Sequence, residues 1–311
     1  MANGEKTASY KSQGRLSALM NSKKKQGAGL MGGSFPTIHP YDNYNPVENS
    51  VSEQTGTSIF DPVLCELVYK WFCIPQGSVL DPFAGGSVRG IVATYLGYAY
   101  IGIDLSEPQI QANRQQAEAI GVNPVWIVGD SRNVKEIAKG EYDLVFSCPP
   151  YYDLEVYSDN PDDLSVQADY EGFMNSYRQI ISDCISMLKD NRFACFVVGD
   201  IRDKKGFYRN FISDTIKAFQ DAGALLYNEA ILVTVAGSLP VRATRPFVSG
   251  RKLGKTHQNV LVFYKGDPKL IKNNYGDIEI EDFENYQDLE TGNNAEVSNG
   301  VKIGYEELSV T

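Results

Sequence analysis

The stretch at residues 79–87 decides the fold: Val79-Leu80-Asp81-Pro82-Phe83-Ala84-Gly85-Gly86-Ser87. An apolar run typical of a buried strand leads directly into a pair of glycines, and a helical pattern begins after them. Ligands of open α/β sheets bind at such a turn, beyond the carboxyl end of a strand, because glycine lets the backbone approach a ligand closely. The stretch therefore predicts a nucleotide-like ligand, although a plain strand-to-helix turn has the same pattern.

Strand and helix patterns alternate along the chain around this turn. The predicted strands are 78–82, 99–104, 124–129, 142–147 and 193–199. Helices are predicted at 62–72, at 88–97, from Ser106, along an apolar stripe from Phe173 to Leu188, and at 209–222. Two later β-rich runs, 225–235 and 258–265, have no helical period between them and look like an antiparallel pair. This order indicates an α/β fold with a mostly parallel sheet, helices on both faces and a terminal antiparallel pair.

Acidic residues follow three of the predicted strands and suit a nucleoside with a positively charged substituent. Asp104 lies about 20 residues beyond the glycines, where a carboxylate can accept both ribose hydroxyl protons. A dinucleotide is disfavoured because the turn after the first predicted strand has no G-x-G-x-x-G, whereas Asp81 suits an amino acid ammonium group. Asp130 is placed to receive an adenine amino group, and a helix cap or turn explains it equally well.

The fourth predicted strand ends in Cys148-Pro149-Pro150-Tyr151. Two prolines fix the backbone and remove two amide donors, which leaves the preceding carbonyls free to accept from a ligand. The ring of Tyr151 adds a flat face. An ordinary turn can hold the same tripeptide, but its position after a cofactor-like turn and an acid favours a clamp for an aromatic amine.

Over residues 57–266 the sequence resembles the amino-group DNA methyltransferases, whose motifs are D-P-F-x-G-x-G and [DNS]-P-P-[YFW]. The resemblance implies a Rossmann-like class I methyltransferase fold with seven strands. It implies S-adenosylmethionine as cofactor and the exocyclic amino group of cytosine (N4) or adenine (N6) in DNA as target. It further implies cofactor contacts from Asp81, Phe83, Gly85, Gly86, Asp104 and Asp130. Cys148, Pro149, Pro150 and Tyr151 would handle a base flipped out of the duplex.

Two positions depart from the family motifs. Ser87 replaces the last glycine, a position that mainly serves close packing. Cys148 stands where the family has Asp, Asn or Ser, and a thiol accepts a hydrogen bond only weakly. Because Cys is closest in shape to Ser, which the family tends to use for cytosine N4, cytosine gains a slight edge over adenine. No Pro-Cys nucleophile motif of the ring-carbon methyltransferases is present.

The net charge of −10 is concentrated near the end of the chain. Residues 276–311 hold ten acidic residues and one lysine, which leaves the rest near neutrality. In contrast, residues 236–265 contain no acidic residue. We expect a basic insertion at 236–256 to contact DNA through Arg242, Arg245, Arg251, Lys252 and Lys255. A second candidate is the segment 152–169, where Glu155 lines a pocket mouth or caps a turn.

Length and composition predict one catalytic domain at 57–271, between a flexible arm at 1–56 and an acidic disordered tail at 272–311. We expect a cytoplasmic protein without a membrane partner, because no apolar run is long enough to span a bilayer. Five scattered cysteines and two histidines suggest neither disulfides nor a metal. The resemblance also implies a role in restriction-modification or phage self-protection.

Other readings stay open at this point. The target amine could belong to guanine in structured RNA or to a protein glutamine, since related enzymes also carry a Pro-Pro-Tyr clamp. The chain could also be a catalytically inactive homologue that binds DNA, with Cys148 as the lesion.

Overall fold

A computed structural model describes residues 60–152, 163–234 and 239–276 of the chain. Its centre is a seven-stranded sheet in the order β3-β2-β1-β4-β5-β7-β6. The strands are β1 Ser78–Asp81, β2 Ala99–Asp104, β3 Val125–Val128, β4 Tyr142–Ser147, β5 Leu188–Val198, β6 Leu225–Val233 and β7 His257–Lys265. Strands β1 to β5 pair in parallel, and β7 lies antiparallel between β5 and β6. This is the Rossmann-like class I methyltransferase arrangement, so the predicted fold class is confirmed.

The described residues contain eight α-helices, five of which the sequence predicts. They are α1 Pro62–Phe72, α2 Val88–Tyr95, α3 Glu107–Ile120, α4 Val134–Ile137, α5 Tyr170–Met187, α6 Phe211–Asp221, α7 Leu239–Gly250 and α8 Ile271–Tyr275. Side chains cap several of them: Asp61 accepts from the N–H of Val63, and Ser106 accepts from that of Gln109. These bonds satisfy amide groups that have no partner inside the first helical turn.

Two apolar cores lie on opposite faces of the sheet, because strand side chains alternate in direction. Phe196 of β5 packs with α5 and α6 on one face, and its neighbour Cys195 packs with α1 and α2 on the other. A parallel sheet covered on both faces leaves the carboxyl ends of β1 and β4 at the same edge, because these two strands are neighbours. The residues that follow these strands therefore meet at one edge of the sheet.

Two local predictions were wrong. The region between β6 and β7 contains helix α7, although no helical period was found there. Residues 244–250 of this helix are exposed, and Pro246 lies inside it, where a proline disfavours a helical prediction. Strand β5 begins at Leu188, directly after α5, and not near 193. The first residues of this strand include the charged Lys189, Asp190 and Arg192, which interrupt the apolar pattern typical of a strand.

Some predicted features lie outside the described residues. These are the arm at 1–56, most of the acidic tail at 272–311, and Glu155 in the segment 152–169. The domain boundaries and the predicted disorder therefore stay predictions.

Candidate active site

The turn after β1 is open on the side where a ligand would lie. Gly85 has a φ of +50°, which disfavours residues with a side chain, and a Cβ added at Gly85 or Gly86 would meet no atom of the described residues within 4 Å. Asn113 of α3 donates to the carbonyl of Gly85 (2.7 Å), and Ser131 donates to that of Pro82. Hydrogen bonds from Asn113 and Ser131 thus hold the glycine turn, and the positions beside Gly85 and Gly86 are open among the described residues.

Asp81 does not face this open space. Its carboxylate is fully buried and receives hydrogen bonds from Arg89 Nε (2.7 Å), the Tyr100 hydroxyl (2.8 Å) and the Ser147 hydroxyl (2.5 Å). Arg89 is also buried, and it donates to the carbonyls of residues 83 and 84. The Asp81 carboxylate therefore lies beneath the turn and is paired with a guanidinium, and its expected contact with a ligand's ammonium group stays a prediction.

Ser147 joins the two motif segments. Its hydroxyl donates to Asp81 and accepts from the N–H of Phe83 (3.1 Å), so the last residue of β4 is bonded to both ends of the segment 81–83. Cys148 follows at once. The Pro-Pro-Tyr segment and the glycine turn therefore begin next to Ser147 and Asp81, two residues that are hydrogen-bonded to each other at the carboxyl edge of the sheet.

Asp104 lies at the end of β2, as expected, and contacts the glycine turn itself. Its Oδ2 accepts from the N–H of Gly85 (2.9 Å), and its Oδ1 accepts from the N–H of Ser106 (2.8 Å). Burial raises the pKa of the Asp104 carboxyl above its usual value, the two N–H bonds oppose that shift, and the charge of Asp81 adds to it. Each carboxylate oxygen still has a second lone pair for a hydroxyl donor.

Asp130 follows β3 and serves a local purpose. It caps the short 3-10 helix Ser131–Asn133 by accepting from the N–H of Arg132 (2.9 Å), and it forms an ion pair with the Arg132 guanidinium (2.6 Å). The helix cap that the sequence analysis gave as the alternative role of Asp130 is therefore present.

Phe83 is half-buried, with its ring 6.2 Å from that of Tyr177 and 6.4 Å from that of Phe196.

Tyr151 is fixed at both ends of its side chain. Its ring lies 6.1 Å from the ring of Phe211 and against Gly199, whose added Cβ would be 3.8 Å away. Its hydroxyl accepts from Gln258 Nε2 (2.6 Å) and lies 3.8 Å from the Cys148 thiol. The residue that follows, Tyr152, is buried with a φ of +49°. Pro149 is buried, while Cys148, Pro150 and Tyr151 are partly exposed.

Four residues of this site were not assigned a role from the sequence: Arg89, Asn113, Ser147 and Gln258. A buried arginine or asparagine looks in a sequence like any polar residue of a helix. Gln258 lies 107 positions from Tyr151, and nothing local marks it as a partner. Only the role of Ser147 has a signal in the sequence, because its position before Cys148 at the end of β4 places it beside β1.

Four of the five predicted DNA-contacting side chains are described, and they belong to α7 or the segment after it. Arg245, Arg251 and Lys255 are exposed, and Lys252 is partly exposed. The backbone of Arg242 lies in α7, but its side chain is outside the described residues. In the described part of the chain, no group of His, Cys, Asp and Glu could hold a metal ion, and no helix is long and apolar enough to cross a membrane.

A family model for DNA methylases matches residues 142–304, more than half of the chain. The match begins at β4 and contains the Pro-Pro-Tyr segment, and the glycine turn precedes it. No curated protein matches the chain significantly.

Solved structures of similar shape include several methyltransferases. TrmN from Thermus thermophilus is 17% identical with a TM-score of 0.45, and the match covers 66% of this chain and 49% of that one. A methyltransferase from Pyrococcus furiosus is 14% identical with a TM-score of 0.45, covering 67% and 84%. ChlM, the magnesium protoporphyrin IX methyltransferase from Synechocystis PCC 6803 with bound SAM, is 13% identical with a TM-score of 0.43, covering 66% and 79%. This chain thus spans about half the length of TrmN.

Proposed function

Because this chain belongs to the N6/N4 DNA methylase family, we propose that it transfers a methyl group from S-adenosylmethionine to the exocyclic amino group of cytosine or adenine in DNA. The observation that carries the proposal is the bonding of Ser147 to Asp81 and to the N–H of Phe83. That contact brings the base-handling segment to the glycine turn, as direct transfer between two bound molecules requires.

The residues around the glycine turn fit S-adenosylmethionine. The space above Gly85 and Gly86 lets the backbone approach the cofactor, and Asp104 retains acceptor capacity for the ribose hydroxyls. Phe83 would pack against the cofactor, and Asp130 would accept from the adenine amino group. Asp81 supports the turn through Arg89, which also donates to the carbonyl of Phe83. When bound, S-adenosylmethionine supplies an electrophilic methyl group.

The Pro-Pro-Tyr segment would hold the target base. An exocyclic amine conjugated with its ring is a poor nucleophile, and hydrogen bonds from its protons to the carbonyls of Cys148 or Pro149 would favour a tetrahedral nitrogen. The lone pair would then be available for attack, and no covalent enzyme intermediate is needed. The ring of Tyr151, held by Gln258, would stack on the extruded base.

Within this proposal we favour cytosine N4 over adenine N6. Cys148 stands at the position that accepts from the target amine in the family, and its side chain is closest in shape to serine. The duplex would be held by the basic insertion at 236–256, of which Arg245, Arg251 and Lys255 are exposed. A restriction-modification or phage self-protection role would follow from methylation at specific sites.

A transfer assay with tritiated S-adenosylmethionine tests the proposal on mixed-sequence duplex DNA, structured RNA and protein. We expect label in DNA, and mass analysis of its nucleosides should find N4-methylcytosine or N6-methyladenine. Tyr151→Ala should lower the rate roughly 100-fold, since base stacking on an aromatic ring contributes about 1–3 kcal/mol. Tyr95→Ala is the matched control, because Tyr95 is a tyrosine with 74% exposure on α2.

Three results would contradict the proposal. Label in guanine of RNA would identify an RNA methyltransferase, and label in glutamine a protein methyltransferase. Tight DNA binding with no transfer to any substrate would identify an inactive DNA-binding homologue.

A further inference from the structure

A small hairpin follows β5 at the carboxyl edge of the sheet. Ile201–Arg209, called the basic hairpin below, is closed by an antiparallel bridge between Arg202 and Tyr208 and by a bond from the N–H of Arg209 to the carbonyl of Ile201 (2.9 Å). At its tip, the Asp203 carboxylate accepts from the N–H groups of Gly206 (2.7 Å) and Phe207 (2.9 Å). These bonds give the tip a defined shape.

The base of the hairpin is attached to the Pro-Pro-Tyr segment. The Arg209 guanidinium lies 5.0 Å from the ring of Tyr152 and 5.0 Å from that of Tyr170. Just before the hairpin, Gly199 lies against the ring of Tyr151. The hairpin therefore rises from residues that contact the base-handling segment, and a hairpin arm of about three residues reaches roughly 10 Å from there.

The hairpin and the basic insertion form one positively charged surface. Lys252 packs against Gly206, and the Lys255 ammonium lies 4.7 Å from the centre of the Tyr208 ring. Lys204 and Lys205 at the tip are exposed. The one acid of the hairpin, Asp203, is engaged by backbone N–H groups. A polyanion would therefore meet lysines from two separate chain segments.

Phe207 is 72% exposed beside these lysines. A single exposed apolar residue is common on protein surfaces and needs no explanation by itself. Here the exposed ring stands on a hydrogen-bonded tip, close in sequence to Lys204 and Lys205, on an element attached to the proposed base clamp. This combination has the chemistry of an apolar wedge that enters a stack of bases while cations hold the phosphates.

We propose that the basic hairpin is a second DNA-contacting element and that Phe207 inserts into the base stack when the target base leaves it. The inference rests on the proposed function and names a part of its DNA contact that the sequence did not indicate. Lys204 and Lys205 contact phosphates beside the insertion point. Tyr151 receives the extruded base, and Phe207 stabilises the duplex that the base has left.

Fluorescence of Phe207→Trp tests the insertion without knowledge of the recognition sequence. Duplex DNA should quench the added indole, measured as the difference from the parent, which contains Trp71 and Trp126. Tyr95→Trp places the same probe at an exposed site outside the proposed contact and should show no quenching. Equal signals from both probes, at a DNA concentration that saturates the parent, would overturn the insertion.

Activity variants test the wedge independently. Phe207→Ala should lower kcat/KM on duplex DNA about tenfold or more, and Phe207→Leu should recover most of it, because leucine also serves as a wedge. Melting temperature should stay unchanged in both. A Lys204→Ala, Lys205→Ala double variant should reduce the slope of log affinity against log salt by about 2, the value for two lost phosphate contacts.

The outcomes separate the hairpin from the proposed function. If the parent methylates duplex DNA and the Phe207 and lysine variants behave like it, the hairpin proposal fails and the proposed function stands. If the parent methylates RNA or protein, or nothing at all, both fail.

Discussion

Tyr151 would act as a platform for a base only if its ring is held still. The ring packs against Gly199 and Phe211, and Gln258 donates to its hydroxyl from the neighbouring end of β7. A fixed aromatic ring loses little further conformational freedom when a base stacks on it. The glutamine therefore acts through the tyrosine and is a positioning residue.

Gln258→Leu should lower kcat/KM by about threefold to tenfold, since it removes one hydrogen bond to the Tyr151 hydroxyl. Tyr151→Phe removes that bond together with the hydroxyl's bond to the carbonyl of Val197 (3.5 Å), so its loss should be at least as large. The double variant should be no worse than Tyr151→Phe alone, because the bond lost in Gln258→Leu is already absent from it. Gln220→Leu, at an exposed position of α6, is the control and should leave the rate unchanged. Additive losses in the double variant would show that Gln258 acts by another route.

The buried pair of Asp81 and Arg89 supports the glycine turn from beneath. Arg89→Met should destabilise the fold by about 3–5 kcal/mol, because it leaves a buried carboxylate without its partner. Arg178→Met removes an exposed pair with Glu171 and should cost about 1 kcal/mol or less. Urea unfolding measures both, and a double variant that also carries Asp81→Asn should recover part of the loss. Equal stabilities of the two arginine variants would contradict the structural role of this pair.

Of this site, the sequence predicted the residues that follow each strand but not the contacts beneath them. Asp104 and Tyr151 could be placed because the ends of parallel strands share an edge. The bond from Arg89 to Asp81 could not be predicted, since the position of Asp81 at the end of β1 does not reveal which way its carboxylate points. Such a choice depends on a partner that folding supplies.

At the scale of elements, Asp143 ties three strands together at the amino-terminal side of β4. It accepts from the backbone N–H of Ser78 in β1 (3.0 Å) and from Lys189 (3.0 Å) and Arg192 (3.0 Å) in β5. Burial by itself would raise the pKa of Asp143, but the bonds from Ser78, Lys189 and Arg192 outweigh it, so its pKa lies below the ordinary value of 3.8. The carboxylate is thus a charged clamp between strands.

The folded pKa of Asp143 lies below that of the unfolded chain, so its stabilisation is present above about pH 3.8 and is lost as pH falls through the folded pKa. Asp143→Asn should therefore lower the free energy of unfolding by about 2 kcal/mol at neutral pH. The same variant should lose less of its stability than the parent as the pH falls below about 3.8. Urea unfolding at a series of pH values measures this. Asp221→Asn, at an exposed helix pair, should leave the curve unchanged. A parallel shift of the whole curve would contradict the clamp.

The sequence did not predict helix α7 or the start of β5. Pro246 lies inside α7, which disfavours a helix in the sequence. The start of β5 is rich in charged residues and lacks the apolar pattern typical of a strand. The antiparallel pair β6 and β7 was predicted because apolar and β-branched residues occupy Val260–Tyr264 of β7.

At the scale of the molecule, the overall charge has the opposite sign to the proposed DNA-contacting surface. The chain carries −10, yet the basic insertion and the basic hairpin place lysines and arginines side by side. Binding of a polyanion depends on the local charge, since charges beyond a Debye length of about 8 Å are screened at physiological salt. The net charge of the chain therefore does not argue against the proposed DNA contact.

DNA affinity should consequently fall with rising salt although the chain is acidic. A Lys252→Ala, Lys255→Ala variant should bind duplex DNA more weakly and lower the salt slope by about 2. Lys70→Ala, Lys217→Ala is the matched control, because these lysines pair with acids one turn away on their helices. Filter binding between about 50 mM and 200 mM salt measures the affinity of both variants, because affinity that depends on phosphate contacts falls steeply over this range. A control variant with the same slope change would refute a localised surface.

The hydroxyl of Ser147 has an evolutionary consequence. It shares one carboxylate with Arg89 and Tyr100, so a substitution at any of these positions would leave the others with an unmatched donor or charge in the core. Natural relatives of this chain should accordingly inherit the quartet at positions 81, 89, 100 and 147 as a block. Lineages that have lost the acid should also have replaced the arginine at position 89 with a neutral residue.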